Sequence, residues 1–325
     1  MRALVARRLL QAVVIVAISA TATFLLVQLA PGDPFSNMID NPRIPPEVRE
    51  RWRARWGLDR PMHEQYVLYL RNVARGDLGW SFSQSRPVID AIAEAVPRTL
   101  LLMGVGLLGA FVLGVATGVV RAGRRGSVAD RALGAGTLFF YSMPEFWLAI
   151  MAMLVFAYWL PIFPTSGMTT PVLYDYMSIA GKLGDRLAHL VLPTATLVLL
   201  TAAIIARYQR AALLDVATQD FVRTARAKGL PERAVLWRHI LRNALLPVIT
   251  LLGLSLPHLV GGTVFIEQVF AWPGMGRLVV GAIAARDHAL VMAIVVLGSV
   301  LVTLGSLLAD LLYMAADPRL REHER

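Results

Sequence analysis

A loop that hydrolyses nucleotides needs a glycine-rich turn ending in Gly-Lys-Ser or Gly-Lys-Thr, because backbone amides and the lysine together cradle the phosphates. Gly181-Lys182 is followed by Leu183, and Lys228-Gly229 runs in the reverse order, so neither can serve and this chain does not hydrolyse ATP itself. His63-Glu64 opens like a zinc helix, but position 67 is Val67 and the second ligand is missing. Ser81, in Gly79-Trp80-Ser81, would need a base histidine within hydrogen-bond reach to act as a nucleophile, and it falls in a polar segment. Cysteine is absent, which removes thiolate metal sites and disulfides and leaves the redox compartment open. What remains is charge in unusual places. Glu145 stands within an apolar run, and residues 221–247 carry Arg223, Arg226, Lys228, Arg233, Arg238 and Arg242 against the single acid Glu232.

The elements that must position these charges are membrane spans. The chain has 325 residues, 56% of them hydrophobic, and a mean hydropathy of +0.58, too apolar for an ordinary soluble surface. Apolar runs of about 20 residues match the roughly 30 Å hydrocarbon core of a bilayer. Six spans are read, at 9–30, 98–120, 132–160, 188–209, 244–266 and 289–315. The first follows Arg2, Arg7 and Arg8. Ala20-Thr21-Ala22 resembles a leader cleavage site, but the run continues through Phe24-Leu25-Leu26-Val27, too long for a leader's apolar core, and is read as a retained span. Residues 31–97 are polar and rich in proline, and Pro45-Pro46-Glu47 opens a short helix.

Loop charge sets the orientation. The N-terminal tail is basic. Residues 121–131 carry Arg121, Arg124, Arg125 and Arg131 against Asp130, and residues 207–242 carry eight basic residues against Asp215, Asp220 and Glu232. Such loops stay in the cytoplasm, which puts both termini inside and 31–97 outside. The net charge of +10 is thereby accounted for without nucleic acid. Gly114 and Gly118, with Ala110 one turn earlier, form a small-residue stripe suited to close helix contact. Pro193, Pro247 and Pro257 interrupt other spans, for a bent path or for packing.

Glu145 lies about a dozen residues into the third span, near mid-depth. It is either a pathway carboxylate that meets a substrate amine, with Ser142 beside it, or one half of a structural pair. Glu267 and Asp310 sit near span ends and read as interfacial anchors; His258 reads as a packed residue. In the basic stretch, Asp220 is an N-cap for a helix over 221–228. Gly229 stops that helix, and Pro231 bars its continuation. A second helix runs from about Pro231 into the fifth span, with Ala234, Arg238 and Arg242 on one face and Leu236, Ile240 and Ala244 on another. A basic interfacial element on anionic lipid has similar chemistry. The compact helix–turn–helix, with small Ala225 and Ala227, suits a partner's groove better.

Thr224-Ala225-Arg226-Ala227-Lys228-Gly229 resembles the cytoplasmic coupling-loop motif of permease subunits in the dipeptide/oligopeptide class of bacterial ABC importers. Further motifs of that family follow in order: Pro31-Gly32-Asp33-Pro34, Gly57-Leu58-Asp59-Arg60-Pro61, Gly76-Asp77-Leu78-Gly79, Pro87-Val88, Ser142-Met143-Pro144 with Phe146, Arg242-Asn243-Ala244-Leu245-Leu246-Pro247, Phe270 to Gly276, and Asp317-Pro318-Arg319. Together they cover nearly the whole chain. The resemblance implies an all-α integral membrane protein with six transmembrane helices and a type I ABC importer transmembrane-domain fold. It divides into residues 1–97 (first helix and external segment), a five-helix core at 98–315 with a coupling loop at 210–243, and a cytoplasmic tail at 316–325. It implies ATPase coupling through Arg223, Thr224, Ala225, Arg226, Ala227, Lys228, Gly229 and Leu230. The implied partners are a second homologous permease, two ATPase subunits that bind ATP and magnesium, and an external substrate-binding protein, in a bacterial inner membrane. This chain itself would carry no cofactor or metal. Cargo in the family extends from peptides to glutathione and nickel chelates. An ion-coupled secondary transporter would use paired mid-membrane carboxylates, and Glu145 stands alone. Two departures from the family pattern, Glu145 and the His288-Ala289 that follows Arg286-Asp287, point to a shifted substrate preference.

Overall fold

The computed structural model describes residues 2–29, 47, 60–255 and 263–316. The expected helix at Pro45, the motifs at 31–34, 57–59 and 317–319, and Pro257 and His258 lie outside the described residues, as does the side chain of Asp310. The elements are α1 (Arg2–Leu29), α2 (Met62–Ala74), a hairpin of β1 (Trp80–Ser81) and β2 (Arg86–Pro87), α3 (Val88–Gly123), α4 (Val128–Ser142), α5 (Glu145–Met153, continued as a π-helix over Leu154–Trp159), α6 (Ile179–Val216), α7 (Asp220–Ala227), α8 (Glu232–Ser255), α9 (Val264–Val269), α10 (Met275–Ala284) and α11 (His288–Ala316). Among the described residues, five of these helices are long and apolar enough to cross a membrane, and α4 with α5 makes a sixth if the pair is one bent span. Apart from the small hairpin the described chain is helical, and with the bent pair counted as one span it agrees with the expected six.

Two spans start earlier than their hydropathy suggests. The second begins at Val88, with Pro97 inside it, and the fourth at Ile179, with Pro193 inside it. An interior proline removes one backbone donor, and both helices continue through it. The third span is not continuous. Its two halves are bent by 104° at Met143–Pro144, because the residue before a proline is pushed out of the helical region and Met143 adopts ψ 134°. Glu145 consequently starts a new helix and does not occupy the middle of a long one.

The chain divides into two compact units. The first comprises Met1–Arg98 and Gly274–Leu304. In it α1 is tied to α2: Phe24 packs on Tyr66 and Tyr69 with ring centroids 5.3 and 5.7 Å apart, Thr21 and Tyr66 share a 2.6 Å hydrogen bond, and Gln28 donates to Gln65 at 3.0 Å. Burial pushes the Tyr69 hydroxyl up to about 12. A core of Val88, Ile92, Ala95, Met275, Leu290 and Ala293 joins α3, α10 and α11.

Asp287 organises this unit. Its Oδ1 accepts from Leu290 N at 3.1 Å, capping α11. Its Oδ2 accepts from Ser81 Oγ (2.7 Å), Ser83 N (2.9 Å) and Ser83 Oγ (2.8 Å), which pins the hairpin loop to the helix start. Ser81, read from sequence as part of a solvated polar segment, is fully buried by this clasp.

The second unit comprises Thr99–Pro273 and Gly305–Arg325. Here α3 lies against α6 through the small-residue stripe: a Cβ at Gly114 would sit 2.6 Å from Ile205 Cβ, and one at Gly118 would sit 2.7 Å from Gln209 Cβ. Ala110, one turn earlier, is buried. Side chains at those two glycines would push the helices apart. A second core of Leu102, Ala149, Leu190, Leu197, Ile266 and Trp272 binds α3, α5, α6 and α9. Glu267 does not anchor at an interface, contrary to the expectation from its position. It is fully buried and accepts from Thr99 Oγ1 at 2.8 Å, because α9 is too short to be a span and packs into the unit.

Candidate functional site

The basic stretch folds as a short helix, a turn and a longer helix. In α7 the N-cap is Gln219, with no side-chain cap bond, and Asp220 occupies the first turn, where its charge complements the helix dipole. The expected cap at Asp220 is thus displaced by one residue. Thr224 Oγ1 donates back to Asp220 O at 2.9 Å. At the other end Gly229 takes φ +73°. Its N–H bonds Arg226 O at 2.9 Å, and Leu230 N–H bonds Ala225 O at 3.4 Å. This pair of bonds is the Schellman closure, and its left-handed residue is cheap only for glycine.

Behind α7, Val222 and Ala225 are buried among Leu213 and Val216 of α6 and Val235, Ile240, Leu241 and Ala244 of α8. The spacing in α8 departs from the sequence expectation because Val235–Leu241 is π-helical. The wider turn brings Val235 and Leu241 inward, and Leu236 is only partly covered. Ala225 makes the close contact that its size suggested, whereas Ala227 faces outward.

In front, Phe221, Arg223, Thr224, Arg226, Ala227, Lys228, Gly229 and Leu230 are all exposed. Arg226 is oriented by Glu232, with Nε to Oε1 at 2.8 Å and Nη2 to Oε2 at 3.3 Å. That bidentate bond raises the guanidinium above its ordinary range, so it stays charged. Arg223 meets Asp220 at 3.4 Å with both side chains in solvent, a pair worth little by itself. The result is a stiff helix held from behind, with a cationic and partly apolar front that lacks the geometry of an active site.

The other expected pair, Ser142 and Glu145, flanks the bend between α4 and α5. Ser142 is exposed and returns its hydroxyl to Leu138 O at 2.9 Å. Glu145 Oε1 is buried and has no hydrogen-bond partner among the described residues. Sequence reasoning missed Asp130, which is buried and accepts from Arg210 (Nε 3.1 Å, Nη2 2.8 Å), Arg121 Nε (3.2 Å) and Gly126 N (3.2 Å). A signal was present: Ser127 and Asp130 have the spacing of a capping box, and Ser127 Oγ does accept from Asp130 N. Gln209 was missed too, fully buried under Gly118 with neither amide atom partnered among the described residues. Among the described residues no cluster of His, Asp or Glu could hold a metal.

The model of the binding-protein-dependent transport system inner membrane component family matches residues 110–322, and the model of that family's N-terminal part matches residues 1–103. An oligopeptide transport system permease protein of Bacillus subtilis is 39% identical over 98% of this chain and 99% of its own. A di/tripeptide transport system permease protein of Pseudomonas aeruginosa is 38% identical over 93% and 94%. The fold matches an inward-facing structure of the MetNI methionine ABC transporter with a TM-score of 0.54 at 21% identity, over 70% of this chain and 97% of that one. The chain therefore belongs to the binding-protein-dependent transport system inner membrane components, the membrane permeases of ABC importers, whose ATPase lies in separate subunits.

Proposed function

We propose that the chain forms one half of the translocation path of an ATP-driven peptide importer, paired with a second homologous permease, two ATPase subunits and an extracytoplasmic binding protein. The cargo follows from the relatives, which are named for oligopeptides and for di- and tripeptides. ATP and magnesium belong to the ATPase partners. The excess of Arg and Lys at 121–131 and 207–242 orients both termini and α7 toward the cytoplasm, so α7 faces the motor. The observation that carries the reading is its two-sided build: Val222 and Ala225 are buried, and Arg223 to Leu230 are otherwise displayed on a helix with a closed C-terminus.

A ligand or nucleotide shifts an inward–outward equilibrium only by its differential affinity for the two states. A coupling helix must therefore move as one piece with the spans behind it. Here α7 shares a core with α6 and α8, so a displacement of the exposed face is carried directly to two spans. The test is reconstitution: peptide accumulates in vesicles only when the second permease, both ATPases, the binding protein and ATP are all present. Accumulation by this chain alone in an ion gradient would refute the reading.

Glu145 is assigned to the path. A buried carboxylate oxygen without a partner among the described residues is costly in a bilayer and is satisfied when a substrate ammonium passes. Glu145→Gln is expected to slow uptake of free-amine peptides about ten-fold, the loss of roughly one charge-assisted hydrogen bond, with N-acetylated peptides unchanged. Equal rates for both substrates in mutant and parent would remove Glu145 from the path.

A further inference from the structure

We propose that a cleft between α4, α6 and the end of α3 binds the headgroup of an anionic phospholipid, whose acyl chain lies along α4 and α6. The cleft has a volume of about 550 Å³. Its cationic end is lined by Arg121, Arg207 and Arg210. Two of these share one carboxylate, since Arg121 and Arg210 both donate to Asp130, and Arg121 Nη1 donates to Thr137 Oγ1 at 3.1 Å. Arg207 has no ion pair or hydrogen bond among the described residues, and its side chain is exposed at the rim. Three guanidiniums against one carboxylate leave an excess of positive charge inside a confined space. A Cβ at Gly134 would lie 2.9 Å from Arg121 Nη2, so the bare backbone there leaves room beside the guanidinium.

The other end is apolar, lined by Leu138, Tyr141 and Ala203. The step from Gly134 to Tyr141 on α4, and from Arg210 to Ala203 on α6, is seven residues in each case, or about 10 Å of helix. The lining therefore changes from guanidinium to hydrocarbon over roughly two thirds of one leaflet's apolar thickness. That gradient is a phospholipid's own, with a phosphodiester at the interface and an alkyl chain below it. Arginine forks match phosphate oxygens two at a time. A free anion would leave the apolar half unused, and an uncharged lipid would leave the excess charge uncompensated. A bound headgroup would also brace the α3–α4 turn, whose Gly126 N–H bonds Asp130 at the start of α4, against the helix that leads into α7.

The choice of leaflet rests on the orientation proposed above, but the lipid chemistry does not. The assembled importer, in mild detergent, is titrated with phosphatidylglycerol or phosphatidylcholine, and bound lipid is counted by native mass spectrometry. Phosphatidylglycerol is expected to bind about ten-fold more tightly. Arg207→Gln, which leaves the Asp130 network untouched, should lower its affinity roughly five-fold, the usual contribution of one arginine near an anionic surface. Tyr141→Glu sets a charge against the acyl chain at the apolar end and should weaken both lipids, whereas Arg207→Gln should leave phosphatidylcholine binding unchanged. Equal affinity for the two lipids, or no change with Arg207→Gln, would overturn the proposal. Displacement of the lipid by millimolar inorganic phosphate would reassign the cleft to a free anion and overturn it as well. If an impermeant label reaches Arg207→Cys from the external side, the orientation fails while the lipid selectivity stands.

Discussion

Importers assembled with Gly229→Val in this chain will hydrolyse ATP at close to the parental rate and accumulate roughly ten-fold less peptide. Gly229 sits at φ +73°, where a β-branched residue costs about 1–2 kcal/mol. That is small against a total stability of about 5–15 kcal/mol, so the chain still folds and the complex still forms. It is large against the turn, whose closure rests on the two bonds to Arg226 O and Ala225 O. A factor of about ten in the population of the closed turn corresponds to about 1.4 kcal/mol, which is the strain introduced. The helix front would then reach the motor in several orientations, and the stroke would be dissipated. Arg226→Glu should give the same phenotype by another route, because it replaces the bidentate bond to Glu232 with two facing carboxylates. Coupled uptake and hydrolysis measured on the same vesicles check both. Parental uptake in either variant would remove α7 from the coupling path.

Asp287→Ala has the second largest expected effect, a loss of about 3 kcal/mol in the stability of the first unit. The alanine deletes the cap on α11, worth about 1 kcal/mol. It also strands the Ser81 hydroxyl, and each buried donor left unpaired costs about 1–3 kcal/mol. Ser81 is fully buried and Asp287 is 3% exposed, so water cannot readily replace the carboxylate. Asp287→Asn keeps an acceptor for the cap and should lose less than half as much. Thermal unfolding of the purified chain reads both, and an unchanged midpoint for Asp287→Ala would show that the clasp between the hairpin and α11 carries no stability. The motif departure at His288-Ala289 thus adjoins a structural clasp: Asp287 caps the helix that His288 begins, and Ala289 is buried in the core of that unit.

Much of this protein was legible before any folding. Hydropathy gave the spans because a bilayer demands about 20 apolar residues per crossing, whatever their partners. The helix–turn–helix at 220–255 was legible because its determinants are local: Gly229 is read as a stop from its own conformational freedom, and Pro231 from its missing donor. Where reading failed, the cause was non-local. Asp220 was given a capping role that needed knowledge of one dihedral angle. Leu236, Ile240 and Ala244 were read as one face and do meet one core, but the π-turns of Val235–Leu241 add Val235 and Leu241 to it. Glu267 was put at an interface by its distance along the chain, although Thr99, 168 residues away, buries it.

The sequence by itself determined that this is a multi-span membrane protein with a rigid basic elbow and no nucleotide site of its own, because apolar run length, glycine stops and motif spacing act within a few residues. Only the tertiary structure decided which charges are satisfied and which are left over. Among the described residues Asp130 gathers Arg121 and Arg210 while Arg207 has no partner, Asp287 clasps Ser81 and Ser83, and Glu145 Oε1 has no hydrogen bond at the 104° bend. The energy of a charge in an apolar surrounding depends on atoms within a few ångströms of it, and in this fold those atoms come from helices far apart in the chain.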